Sequence, residues 1–205
     1  MRHLTITLLV ALATLAVAGC GSKGERKTPV VSPREVIEGE HLTFKGVPID
    51  GTVAQFTARL EQTGLTLVGA GAYSATMKGD FAGTPGCRII VAASDTLRVH
   101  TAAVIFPGKD TWSGLEDDYT LLKTMLTRKY GEPKQCVETF LSRRAPETNA
   151  EKLIRLQEEQ CRWTTLYAPP TGDIQLSIEL YDHQTRVVLR YVDHANLVKS
   201  RMEDL

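Results

Sequence analysis

The chain has 205 residues, with 24 Lys plus Arg balanced by 24 Asp plus Glu. That balance excludes the strongly basic field on which nucleic-acid binding or attraction to an anionic membrane surface depends. Once the N-terminal segments are set aside, about 165 residues remain, enough for a single domain that buries about 68–70% of its unfolded surface.

Residues 1–20 read MRHLTITLLVALATLAVAGC. A basic start at Arg2 and His3 precedes an apolar run from Leu4 to Val17, the pattern of a signal peptide. The run is shorter than the roughly 20 residues a helix needs to cross a bilayer. It ends in Val17-Ala18-Gly19-Cys20, which resembles the lipobox of bacterial lipoproteins, where small residues precede a cysteine whose thiol carries diacylglycerol. The resemblance implies that residues 1–19 are removed and that Cys20 becomes a lipidated N-terminus. Its palmitate-type acyl chains would make the membrane a partner. Two or three such chains, at about 0.8 kcal/mol per buried methylene, anchor far more firmly than one. The alternative is an ordinary secretory signal with a cysteine at its cleavage site. Gly21, rather than an aspartate, follows Cys20; by resemblance to the sorting rule of enteric bacteria this implies an outer-membrane lipoprotein facing the periplasm.

Residues 20–40 read as a lipidated flexible linker: the stretch is polar, carries Pro29 and Pro33, and has no periodicity. Its typical reach is about 25 Å, and at most about 70 Å. Residues 41–205 read as one α+β globular domain. Thr52 with Gln55 forms a capping-box pattern, and Val53, Phe56 and Leu60 give the first helix its apolar stripe up to Gly64. Strand-like stretches follow at Leu65–Val68, Tyr73–Phe81, Cys87–Ala93 and Leu97–Phe106, with a hairpin turning at Ser94-Asp95. Ser113 with Glu116 is the expected cap of a second helix, with Leu115, Tyr119, Leu122 and Leu126 as its stripe and Gly131-Glu132-Pro133 as its stop. Gln135–Leu141 reads as a strand, Thr148–Gln160 as a charged helical insertion and Arg162–Tyr167 as a strand. Ile174, Leu176, Ile178 and Leu180 alternate with polar residues, and Arg186–Val192 returns as the hairpin partner across Asp182–Thr185. A short tail helix is expected from His194.

The order helix, strands, helix, strands predicts an α+β fold, an antiparallel sheet with helices on one face, arranged as two tandem helix-plus-meander units. The segments HLTFKGVPIDGT (41–52), IFPGKDTWSGLEDDYTLLKTMLTRKYGEP (105–133) and CRWTTLYAPPTGDIQLSIE (161–179) resemble a group of uncharacterised secreted proteins and lipoproteins of gut Bacteroidetes. That resemblance implies a shared fold and brings no activity with it. The element order is also similar, in topology alone, to small outer-membrane assembly lipoproteins and to β-lactamase inhibitor protein-like folds.

Besides Cys20 there are Cys87, Cys136 and Cys161. An odd number in an oxidising compartment implies one disulfide plus a thiol, or none. Cys136 and Cys161 flank the helical insertion and are the favoured pair, although spacing does not determine connectivity.

No catalytic, cofactor-binding or metal-binding constellation stands out. There is no G-x-S-x-G, H-E-x-x-H or C-x-x-C, and His41, His100, His183 and His194 are scattered. A hairpin turning at Ser94–Thr96 would set Cys87 opposite Ala103 and His100 opposite Ile90, about 10 Å apart and too far for a nucleophile and its base. Glu116-Asp117-Asp118 reads as helix-starting acids favoured by the macrodipole. Gly69-Ala70-Gly71 and Gly83–Gly86 read as turns, and Arg143-Arg144 with Lys152 and Arg155 as a solvated face. Phe106, Trp112, Tyr119, Trp163 and Tyr167 read as core or as a helix staple. The expected function is a membrane-tethered, non-enzymatic binding or assembly module with an envelope-protein partner, without cofactor and without nucleic acid. The alternative is an envelope hydrolase or a periplasmic inhibitor of one.

Overall fold

The computed structural model describes residues 40–197. The expected signal peptide, Cys20, the linker up to residue 39 and the end of the tail helix lie outside the described residues. The elements run in the order β1 (Thr43–Phe44), β2 (Val47–Pro48), α1 (Val53–Glu61), β3 (Thr66–Ala70), β4 (Ser74–Phe81), β5 (Thr84–Ala93), β6 (Val99–Ile105), α2 (Trp112–Tyr130), β7 (Gln135–Phe140), α3 (Asn149–Gln157), β8 (Cys161–Tyr167), β9 (Gly172–Tyr181) and β10 (Gln184–Asp193).

Strands β3 to β10 form one eight-stranded sheet in the order β3-β4-β5-β6-β10-β9-β8-β7, with every described pairing antiparallel. The fold is therefore α+β, and the tandem arrangement is visible in the strand order. Each half is a helix followed by a four-stranded meander, and the halves join through their last strands, β6 and β10. The charged helix α3 is inserted between β7 and β8 of the second half.

One core fills the space between the sheet and the helices. It takes Val53, Phe56 and Leu60 from α1, Trp112, Leu115, Tyr119, Leu122 and Leu126 from α2, and Leu156 from α3. From the sheet it takes alternate residues, among them Met77, Ile89, Val91, Val104, Leu176, Ile178, Leu189 and Tyr191. The period-2 alternation puts these on a single face. The small β1–β2 hairpin adds Phe44 and Val47, and Phe44 stacks on Phe81 with ring centroids 5.4 Å apart.

The Thr52 capping box forms as expected, with Thr52 accepting from the Gln55 backbone N–H and Gln55 accepting from the Thr52 backbone N–H. The second helix starts earlier than its sequence suggested. Its cap is Thr111, whose hydroxyl accepts from the Gly114 N–H at 3.2 Å, and Ser113 lies inside the first turn. Fully buried Trp112 explains the choice: as the first helical residue it packs on Trp163 (centroids 5.0 Å) and Phe140 (5.2 Å). Burial of that indole outweighs the small difference between two hydroxyl caps.

The hairpins at Lys45-Gly46, Ala82-Gly83 and Asp182-His183 turn on two residues that both have positive φ, between directly paired residues. This is the geometry that matches the right-handed twist of the flanking strands. Only the glycines advertise it in the sequence, and Lys45-Gly46 hid the β1–β2 pair altogether.

Candidate binding surface

The sequence-derived candidates disperse in space. Register places Ile90 opposite Ala103 and Ala92 opposite Thr101, while Ala93 pairs with Val99. His100 is therefore an extra residue in a β-bulge, and the hairpin is offset by three residues from the expected alignment. Cys87 and His100 end up farther apart than the sequence implied. Burial raises the Cys87 thiol to about 11, and its Sγ donates to the Thr84 carbonyl at 3.4 Å. It behaves as a small buried apolar group. Burial holds His100 low, against the pull of Asp193, and its Nδ1 lies 2.7 Å from the Thr101 hydroxyl.

The expected Cys136–Cys161 disulfide is not formed. Both thiols are free. Cys136 faces Thr165 and Cys161 faces Phe140 on the β7–β8 ladder, an offset of four positions. That separates them by about 13 Å along the strands, against the roughly 7 Å limit for a bridge.

Glu116, Asp117 and Asp118 lie beyond the first turn of α2, because the helix begins at Trp112. Asp118 pairs instead with Lys109, Oδ2 to Nζ 3.1 Å. Arg144 pairs with Glu147 and Arg155 with Glu158, while Lys152 lies over the Trp112 ring, 5.6 Å from its centroid. His183 sits on the β9–β10 turn and is exposed. Among the described residues no group of three or more His, Cys, Asp or Glu is placed to hold a metal ion. No described helix is long and apolar enough to cross a membrane.

One polar cluster has no signature in the sequence because it joins α2 to β7 and β8. Lys123 Nζ lies 2.6 Å from Glu138 Oε1 and 3.2 Å from Cys136 Sγ, and Tyr119 hydrogen-bonds Thr165 at 2.5 Å. Burial alone would lower the Lys123 ammonium; its bonds to Glu138 and Cys136 outweigh that and raise it. Burial would likewise raise Glu138, and the same contacts with Lys123 and Cys136 pull it down. Each group is held in its charged form, so neither is poised to exchange protons near neutral pH.

The sheet's other face is where an extended surface lies. Rows of paired residues cross it, one running Arg88, Ile105, Val188, Ser177, Thr164 and Val137, the next Ile90, Ala103, Arg190, Gln175, Leu166 and Gln135. Ala103, Ile105 and Val188 form a small buried cluster at its centre, flanked by Ile90 and Tyr181, and no described helical residue joins it. Long side chains roof that cluster. The Arg88 guanidinium lies 5.3 Å from the Tyr181 ring centroid and 3.4 Å from Asp182, and Arg190 pairs with Glu179 at 2.5 Å. Cations outnumber acids: Lys78, Arg88, Arg162, Arg186 and Arg190 share this face with Asp173, Glu179 and the turn residue Asp182, of which Glu179 pairs with Arg190 and Asp182 with Arg88. Lys78 and Arg162 are exposed. Nothing here supplies a nucleophile with a base. Arginine and tyrosine over a flat apolar centre instead suit protein recognition.

In comparisons with protein-family models, curated proteins and solved structures, no match to this chain is found.

Proposed function

We propose that this protein is a lipid-anchored envelope module that docks an acidic protein partner on the open face of its sheet. The observation that carries the reading is the asymmetry of the sheet: helices bury one face, and on the other Arg88, Tyr181 and Arg190 lie over a buried apolar centre, with an excess of positive charge. A partner with carboxylates at its rim would complement that charge, which favours encounter and register. Lipidation at Cys20 would confine the search to the outer membrane's periplasmic side, within the reach of the linker. The reading is non-enzymatic: the Lys123–Glu138 pair is held charged by its own contacts, and burial keeps the Cys87 thiol protonated.

The test is photo-crosslinking in intact cells from single positions. Probes at Thr76 and Thr164, both on the open face, are expected to give an adduct of one common mass. A probe at the exposed helix position Thr124 should not give it. Lys78→Glu with Arg162→Glu should remove the adduct without changing the melting temperature. Adducts that arise equally from Thr124, or that survive the charge reversal, would refute the docking face. Separately, mass spectrometry of the protein extracted from membranes should find residues 1–19 removed and a diacylglyceryl thioether on Cys20; an unmodified Cys20 thiol would refute the anchor.

A further inference from the structure

On the helix side of the sheet, away from the proposed docking face, a cavity of about 280 Å³ opens between α2 and the turns of two hairpins. Leu122 and Met125 of α2 form one wall, Phe81 and the β1–β2 turn the other, and Tyr191 lies at its floor. The walls are braced. Phe44 stacks on Phe81 and meets Tyr191 edge-on at 5.3 Å, which fixes the aromatic side of the cavity. Met125 is 43% exposed at its edge, next to Leu121 at 58%, which leaves an apolar lip open to solvent.

Charge at the mouth has one sign. Lys45 and Lys129 line it, and no carboxylate does. Lys45 Nζ donates to the backbone carbonyl of Asp80 at 3.2 Å, while the Asp80 carboxylate accepts from the Gly86 N–H. Lys129 Nζ lies 5.0 Å from the Tyr130 ring centroid. Neither ammonium is paired with a carboxylate among the described residues, and each retains donors for a ligand. Two cations over an apolar slot define an amphiphile with a negative head. The volume falls just below the roughly 300–1,000 Å³ range of ligand pockets, which selects one unbranched chain over a two-chain lipid.

We infer that this cavity is a binding site for a single-chain fatty carboxylate, with the chain against Phe81, Leu122 and Tyr191 and the carboxylate between Lys45 and Lys129. The site is independent of the docking face and would stand if that face proved inert.

Calorimetric titration of the full chain carrying Cys20→Ala tests it, with octanoate, decanoate, decan-1-ol and decyltrimethylammonium as probes. Affinity should rise about fourfold per added methylene from octanoate to decanoate. Decanoate should bind about tenfold more tightly than decan-1-ol, and the cationic amphiphile least of all. Lys45→Gln with Lys129→Gln should erase the preference for decanoate and leave decan-1-ol binding as it was. Met125→Glu should weaken both, with the melting temperature of each variant confirming that it folds. The inference is overturned if octanoate and decanoate bind alike, if the head-group preference survives loss of both lysines, or if no probe binds. Sedimentation supplies a further decisive outcome: self-association that Met125→Glu abolishes would assign the cavity to a side chain of a second copy.

Discussion

Asp193 and His41 meet across 152 positions of chain, Oδ1 to Nδ1 at 3.2 Å, where the first described residues reach the end of the last strand. Asp193 is fully buried, and its other oxygen accepts the Leu42 N–H at 2.7 Å. It also caps the helical turn that starts at His194, through the Asn196 N–H at 2.9 Å. One carboxylate thus ties the beginning of the domain to its last strand and to the tail. The Asn196 side chain continues the tie by donating to the carbonyls of Ile49 and Val99.

Asp193→Ala should therefore destabilise the domain by about 3 kcal/mol, because it strands buried donors together with the imidazole partner. Asp193→Asn retains one acceptor and should cost less. Urea unfolding at constant m-value checks both, and a loss below about 1 kcal/mol for the alanine variant would contradict the role assigned to this residue.

Asp50 carries the acid dependence of the same region. Burial would raise its carboxyl, but the Gly51 N–H, Asn196, His41 and Arg98 together outweigh burial and hold it below 3.8. A depressed folded value contributes stability above the unfolded value, and that stability is lost as pH falls through the folded one. The stability gap between the native chain and Asp50→Asn should then be full at neutral pH and close between about pH 5 and pH 2. A gap that is constant over this range would show that the carboxyl is not depressed.

The thiols should separate by reactivity. Burial raises Cys87 and Cys161 to about 11 each, so roughly a thousandth of either is thiolate at about pH 8. Cys136 is exposed beside Lys123. Iodoacetamide should label Cys136 first, with Cys161 and Cys87 labelled after denaturation. Mass mapping of a non-reduced digest should find no Cys136–Cys161 cross-link.

Gly172 is required by close backbone approach. A Cβ there would collide with the Val192 carbonyl oxygen on the neighbouring strand and press on Leu42. The obstacle is backbone and cannot turn aside, so Gly172→Ala should lower stability by about 2 kcal/mol or more. Gly83→Ala meets nothing within 4 Å and strains only its turn, at positive φ. Comparison of the two variants by thermal unfolding separates collision from backbone strain.

Tyr119→Phe isolates the hydrogen bond to Thr165 in the wall between α2 and β8. Both residues are buried, and the expected loss is about 1 kcal/mol with the ring packing unchanged. An unchanged unfolding midpoint would contradict a stabilising role for this hydrogen bond.

Local chemistry was legible from the chain alone. The Thr52–Gln55 box, the stripe of Leu115, Tyr119, Leu122 and Leu126, and the alternation of Ile174, Leu176 and Ile178 each report on neighbours within a few residues and lie in the expected elements. Leu180, expected on the same buried stripe, is exposed at the end of its strand. The α+β class and the tandem order followed from counting those elements. What depended on contacts between distant segments was decided by the tertiary structure. The bulge at His100 shifted a register, burial of Trp112 against Phe140 and Trp163 moved a helix cap, and the β7–β8 ladder set Cys136 and Cys161 four positions apart. The cavity between Lys45 and Lys129 and the cationic sheet face likewise arise only when strands remote in sequence are laid side by side. Periodicity shows which side of an element is apolar; only long-range pairing and packing decide what it meets.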